Sequence, residues 1–403
     1  MDIIKNSSIR FQNTHVTWQS FLLAIFAVLS PRAIGTIFPL LCLIAALPFL
    51  RKLSFKEYFG LFAPAIIISA IAALSVFWSI SPDDSLERVV KTLPLLFLIS
   101  LIPLGFYNYE THFDSKRLLR LSAYILTCAF LLIGMDFLLN GRIYLLLHGE
   151  EYTGYFNRSN YNRSLVSLFL LSLPTLYFLQ TLNLKRYFFS LSGCIFLLAL
   201  LSESQSLQIG LMVFFTAFLL SHIKLPWLYI LAAGISIIVI ALPWFMPYLY
   251  EANPTFLKNY ISSAYPLQRI EIWSNVSIMI QEKPWIGHGI ETLRSVTFPT
   301  SLKYLKDDTV LHSHNIYLQI WYEFGALGIL VFLGLFWAGV MKIASLGKSI
   351  STRLFFCLLA PAILISMVSY GLWQAWYLVV NSYAIILAYQ LCRKVQRHDF
   401  QKS

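Results

Sequence analysis

Apolar residues run along this chain in blocks too long and too unbroken for an alternating strand or a half-exposed surface helix. Twelve such blocks lie near residues 18–30, 33–50, 58–78, 92–106, 118–139, 163–180, 187–201, 206–221, 226–246, 315–341, 353–370 and 373–392. A helical bilayer crossing needs roughly 20 residues, so the pattern predicts an all-α, polytopic membrane protein of about twelve transmembrane helices. The first block is short, and Ser30-Pro31-Arg32 separates it from the second, so the pair reads as a tight hairpin. One long polar interruption, residues 247–313, divides the chain. It leaves helices 1 to 9 in residues 1–246, and helices 10 to 12 with a tail in residues 314–403.

Composition agrees: 58% of residues are hydrophobic and 12% charged, far from the balance of a soluble domain. The net charge of +11 is then mostly topological, and no nucleic-acid partner is implied. An even number of crossings puts both termini on one side. Loops on that side hold most of the 30 Lys and Arg, among them Arg51, Lys52, Lys116, Arg117, Lys185 and Arg186. The positive-inside rule therefore makes both termini cytoplasmic and the long loop external. Lys5 and Arg10 precede the first apolar block without a small-residue cleavage site after it, so that block reads as a span and not as a removable signal. The five cysteines sit in or at the ends of apolar runs with no CxxC spacing, which predicts free thiols.

Basic residues on the outer side are not explained by topology. Arg32, Arg88, Arg158, Arg163 and Arg269 are such residues. Each alone serves as an anchor reaching the lipid headgroups, but several converging from different loops would form an anion site through their forked donors. Residues 268–283 of the long loop place Arg269, Trp273, Val276 and Ile280 on one helical face, and Pro284 to Gly289 ends that helix. A helix on or near the membrane surface could turn Arg269 inward or leave it in solvent; spacing serves both. Arg294 and Lys303 read as exposed loop residues.

His312, His314 and Asn315 stand at the aqueous end of the tenth block. Histidine exchanges protons near neutrality, and these three cap the helix. Two histidines at i and i+2, with only Asp307 and Asp308 nearby, make a poor metal site, and the acidic pairs Asp83-Asp84 and Glu150-Glu151 read as solvated. Asp136 and Glu203 are acids near span ends, where a functional role and an interfacial or loop role both fit. There is no Walker A motif, dinucleotide fingerprint or GxSxG. No metal and no cofactor are expected, and the energy for any reaction must arrive in the substrate.

Four stretches together resemble the O-antigen ligase and polymerase family of bacterial envelope membrane glycosyltransferases. They are Trp78 to Arg88; Gly154 to Asn160; Gln268 to Trp273 with Pro284 to Gly289; and His312 to Gln319 with Glu323 to Gly328. The resemblance implies a multi-pass protein of the bacterial inner membrane with its active site on the periplasmic side. It implies metal-independent, inverting glycosyl transfer from a polyprenyl-diphosphate-linked glycan to lipid A-core or another glycan. The histidine before Asn-x-Tyr-Leu, taken as the base, corresponds to His314, and the arginine ahead of the loop-helix Trp to Arg269. The arginine near the sixth span corresponds to Arg163, with Arg158 as rival; His312, Asn315 and Arg88 complete the expected substrate contacts. Many members open the eighth span with Ser-Arg, where this chain has Ser204-Gln205. Ligase and polymerase differ in acceptor and are not separated by these residues. A lipid-linked oligosaccharide flippase is the rival of another class, but it would line a central path with charge, whereas here polar residues gather at one edge.

The absence of an acid in the first outer loop carries a direct expectation. Purified protein should keep full transfer activity in excess EDTA. Loss of activity restored by magnesium or manganese would overturn the metal-free reading.

Overall fold

The computed structural model describes residues 19–106, 115–252, 264–298, 310–347 and 349–400. Lys5, Arg10, Lys258, Lys303, Lys306, Asp307 and Asp308 lie outside the described residues. Among the described residues every regular element is helical. In chain order the α-helices are α1 (Gln19–Leu29), α2 (Pro31–Leu50), α3 (Phe55–Ser75), α4 (Pro82–Ser100), α5 (Ser115–Leu138), α6 (Arg142–His148) and α7 (Asn162–Thr181). They continue as α8 (Lys185–Leu201), α9 (Gln205–Leu220), α10 (Trp227–Ala252), α11 (Ala264–Glu282), α12 (Ile316–Ala344), α13 (Ser349–Val368) and α14 (Ala375–Phe400). Each of the twelve apolar blocks falls on a helix. Eight of these helices are long and apolar enough to cross a membrane by length and composition. The blocks at 18–30, 92–106, 187–201 and 206–221 fall on shorter or more polar helices.

The bundle is built around α7. Its residues from Ser164 to Leu179 are all buried, as expected of a helix apolar on every side. It packs against α5, α8, α9, α13 and α14. Helices farther out expose Ile44, Leu47, Met212, Ile237 and Leu330, an apolar exterior that suits lipid.

Two elements differ from the sequence expectation in ways that matter for the site. The fourth helix starts at Pro82 rather than near residue 92, because proline suits a first helical position and Asp83 and Asp84 complement the amino-terminal dipole. Arg88 and Lys91 are therefore helical, not loop, residues. The loop helix α11 is not laid out as a surface helix: it packs against both α10 and α12 and buries Glu271, Asn275, Val276, Ser277 and Ile280.

A further difference lies in α12, which is broken at Gly325 (φ 59°, ψ −153°). That conformation is essentially restricted to glycine, and it interrupts the ladder of helical hydrogen bonds within an apolar helix. The Pro284–Gly289 turn supplies the missing partners. Ala326 N–H donates to the Pro284 carbonyl at 2.7 Å and Leu327 N–H to Trp285 at 3.2 Å. In the other direction, His288 N–H donates to Tyr322 at 2.8 Å and Gly289 N–H to Glu323 at 3.0 Å. Irregular backbone is tolerable at such a depth only when protein satisfies it. Trp78 then closes over the turn, its indole N–H donating to the Ile286 carbonyl at 2.9 Å.

A Cβ at Gly325 would stand 2.5 Å from the Trp285 carbonyl carbon, and one at Gly287 2.6 Å from Glu323 backbone. Gly325→Ala should therefore cost on the order of 1 to 3 kcal/mol. Gly339→Ala, where a Cβ meets nothing within 4 Å, should be neutral or slightly stabilising. Thermal unfolding of the detergent-solubilised variants reads the difference, and equal midpoints would show that the break is not a constrained feature.

Candidate active site

A set of polar residues from helix ends and loops converges on one cavity. Arg32 stands at the start of α2, Arg88 in the second turn of α4, and Arg163 at the start of α7. Arg294 comes from the short turn Thr292–Ser295, and His312 from the segment leading into α12. With Glu291 these side chains line an open cavity of about 250 Å³. Its other walls come from Leu311, from Gln319, from Gly371, Trp373 and Gln374 in the short segment between α13 and α14, and from Trp376 at the start of α14.

The amino-terminal end of α7 is fixed by a buried acid. Asp136 accepts from the Tyr161 hydroxyl at 2.8 Å and from the backbone N–H groups of Ile143 and Tyr144 at 2.7 and 3.0 Å. It thereby joins α5 to the start of α6 and to the turn before α7, a positioning role that leaves no carboxylate oxygen idle. Two residues along from Tyr161, Arg163 reaches the cavity. Arg158 does not: its guanidinium donates to the Leu201 carbonyl at 2.8 Å and lies over the Phe137 ring at 5.4 Å. Glu203 is exposed in the turn between α8 and α9.

Glu291 (φ 60°) is buried between two of the arginines. Its carboxylate is 3.4 Å from Arg88 Nε and pairs with Arg294 Nη2. Burial pushes the carboxyl above its ordinary range, while Arg88 and Arg294 pull it back. Among the described residues, Arg32, Arg163 and Arg269 have no ion-pair partner. Arg294 thus lines the cavity rather than serving only as an exposed loop residue.

The two histidines differ in what their rings can do. His314 sits in a left-handed backbone conformation (φ 56°) that turns its ring toward the segment after α13. Its Nδ1 is 3.1 Å from the Ser369 carbonyl. A carbonyl only accepts, so Nδ1 carries the hydrogen and Nε2 keeps the lone pair of a base. Arg269, half-buried on α11, lies close enough for its charge to act on His314 and on Tyr370. The α11 face that carries Arg269 is held by Trp273, whose indole donates to the Ser313 carbonyl at 2.9 Å. Burial lowers the His314 pKa, Arg269 lowers it further, and the bond to Ser369 opposes both.

His312 packs edge-on against His314, with ring centroids 4.3 Å apart. Gln374 has its oxygen occupied by the Trp376 indole at 3.1 Å and presents its amide nitrogen to His312 Nε2 at 3.0 Å. The His314 backbone N–H approaches His312 Nδ1 at 3.3 Å. Two donors thus face a neutral ring with one lone pair, and a protonated ring would accept from neither. Burial first, and the neighbouring His314 and arginines after it, push the His312 pKa down to about 3. Gly371 makes this packing possible, since a Cβ there would stand 2.9 Å from the His312 ring. Asn315 is the helix cap, its Oδ1 accepting from Tyr317 and Leu318 N–H at 3.0 and 3.1 Å.

Of the residues expected from sequence, Arg88, Arg163 and His312 share the cavity, and Arg269 and His314 lie together beside it. Arg158 is elsewhere, and Asn315 is committed to its cap. Sequence reading left Glu291 and the segment Ser369 to Gln374 without a role; the polar and glycine break between two apolar blocks was the available signal. Among the described residues no group of three metal-ligating side chains comes together.

Residues 190–333 match the family model described as "O-Antigen ligase", a stretch that includes Arg269, His312 and His314. A Rickettsia bellii protein named "Putative polysaccharide ligase" is 27% identical over 144 residues, 34% of this chain and 35% of the relative. Proteins of the same description from Rickettsia conorii and Rickettsia prowazekii are 26% and 24% identical. Those alignments cover 50% and 86% of this chain, and 51% and 76% of the relatives. The chain thus spans from about a third to about three quarters of the length of these relatives.

The lowered histidines fix a sign for pH dependence. Above pH 6.5 both are neutral folded and unfolded, and neither affects stability. As pH falls below 6.5 the unfolded chain takes up protons first, so stability declines, for His312 down to about pH 3. If neutral His314 is the base, the acid limb of kcat/KM should lie below 6.5. A limb at or above 6.5 in a pH series of the purified protein would contradict this.

Proposed function

With the chain belonging to an O-antigen ligase family, we propose that it transfers a polysaccharide from a polyprenyl diphosphate carrier to lipid A-core oligosaccharide. The protein is a multi-pass membrane protein; its place in this reading is the bacterial inner membrane, with cytoplasmic termini and a periplasmic site. The observation that carries the reading is His314, with Nε2 left basic by its bond to Ser369, set beside Arg269 and next to an arginine-lined cavity.

In the reaction, an acceptor hydroxyl oxygen attacks the anomeric carbon of the donor sugar. The bond from that carbon to the diphosphate oxygen breaks with inversion, the diphosphate leaves as an anion, and the hydroxyl proton passes to His314 Nε2. Arg163 and Arg269, both close enough to act on Tyr370, hold the diphosphate and offset the charge that grows on it. No metal enters the scheme. The chemistry would equally lengthen a glycan, and the two outcomes differ only in acceptor. A deletion strain whose core lacks polymer while polymer stays on its carrier supports ligation; cores capped with single units would indicate polymerisation.

His314→Ala should lower single-turnover transfer by about two to four powers of ten at unchanged membrane abundance. Arg163→Lys and Arg269→Lys replace a fork with a point charge and should each lose about 1.5 to 3 kcal/mol, a fall of roughly 10- to 150-fold. Arg158→Lys is the control, since its guanidinium is occupied by a carbonyl and a ring. Equal rates in all three lysine variants would show that the arginines are lipid anchors, and wild-type rates in His314→Ala would sink the assignment of the base.

A further inference from the structure

The cavity holds more positive charge than the donor requires. A glycosyl diphosphate diester carries two negative charges, which Arg163 and Arg269 match. Arg32, Arg88 and Arg294 remain at the same cavity, against the single carboxylate, among the described residues, of Glu291. That carboxylate is shared between Arg88 and Arg294, and among the described residues Arg32 has no ion-pair partner. Like charges gathered around a confined space repel one another unless an anion joins them. Here the excess is greater than the one internal carboxylate offsets.

The uncharged walls favour a saccharide as the bearer of that anion. Trp373 and Trp376 both line the cavity, their indole N–H groups donating to Glu323 at 2.7 Å and to Gln374 at 3.1 Å. Indole side chains with their N–H groups so occupied are apolar walls of the kind against which the C–H faces of a sugar ring pack. The cavity also adjoins His312 and, through it, His314, so a saccharide seated there lies beside the base.

Resting on the glycosyl-transfer reading above, we propose that Arg32, Arg88 and Arg294 bind a carboxylate or phosphate carried by the acceptor saccharide. The acceptor is thus an anionic glycan, and Glu291 is the internal counter-ion that holds the arginines in place until it arrives. Charge-assisted, forked hydrogen bonds to the acceptor's anion would select it over an uncharged sugar of the same shape.

The test is binding, independent of turnover. The protein is placed in phosphatidylcholine nanodiscs and titrated with a glucose tetrasaccharide bearing one 6-phosphate, and with the uncharged tetrasaccharide. The charged probe should bind about tenfold more tightly, one charge-assisted contact's worth. Inorganic phosphate should compete with it. Arg88→Gln and Arg294→Gln should abolish the preference, while Glu291→Gln, which releases both arginines, should increase it. A merely misfolded variant cannot produce that opposite sign. The preference should persist in His314→Ala, so a failed base assignment and a failed anion site give different results. It should also persist when phosphatidylglycerol is added; its loss would assign the cavity to a lipid headgroup. Equal binding of the two tetrasaccharides overturns the proposal. So does a parallel loss of polyprenyl diphosphate affinity in Arg294→Gln, which would give these arginines to the donor.

Discussion

A break in a buried helix needs partners for the backbone groups it frees, and in this protein that constraint organises the site. Gly325 interrupts α12, and the Pro284–Gly289 turn is the segment that satisfies it. Because the turn is pinned to the helix by hydrogen bonds in both directions, whatever precedes or follows it is placed as well. Upstream lies α11 with Arg269; downstream lie Glu291 and Arg294. Glu323, two residues before the break, extends the same fastening. It is fully buried and accepts from Gln319 Nε2 and the Trp373 indole, each at 2.7 Å. Gln319 in turn accepts from Leu372 N–H at 2.7 Å. A buried carboxylate without a cation is expensive unless neutral donors surround it, and here one donor, Trp373, belongs to the segment that forms the far wall of the cavity, while the other, Gln319, is bonded to Leu372 of that segment. One helix thus positions the long loop on one side and the α13–α14 connection on the other.

The electrostatics follow from this framework. Arginines arrive from the ends of α2, α4 and α7 and from the pinned loop, and among the described residues Glu291 is the acid that lines the cavity with them. Protonated histidines would add to an already cationic site, so burial and neighbouring arginines both hold His312 and His314 neutral. A neutral imidazole is the form that can accept a proton, so surroundings that would attract an anion also leave these rings able to serve as the proposed base. Arg269 contributes to both effects. The site therefore combines two requirements, a surplus of positive charge and an unprotonated nitrogen, without a metal ion in the proposed scheme.

Sequence alone determined the features that depend on nearby residues. Long apolar runs set an all-helical membrane fold, and all twelve fell on helices, eight of them long and apolar enough to span, since a helix satisfies the backbone of such a run within itself. Proline and glycine signals marked the α1–α2 junction and the end of α11. The pairing of His312 with His314, and the resemblance around them, pointed to the end of the protein where the arginines converge. The start of α4 was misplaced because its first half is polar, and hydropathy does not register a helix begun by proline and acids.

Tertiary structure decided what distance along the chain conceals. Arg158 and Arg163 are five residues apart and equivalent as sequence, yet one is bound to a carbonyl of α8 and the other opens onto the cavity, because the turn between them directs them differently. The break at Gly325 was invisible in an unbroken apolar run, since its partners lie about 40 residues earlier in the chain. For the same reason Glu291, Gly371 and Gln374 had no readable role: each acts on a residue brought near only by packing. Hydrophobic pattern is a local property and determines which segments become helices; hydrogen-bond partners and charge neighbours are properties of the folded arrangement, and they alone select the residues that form the site.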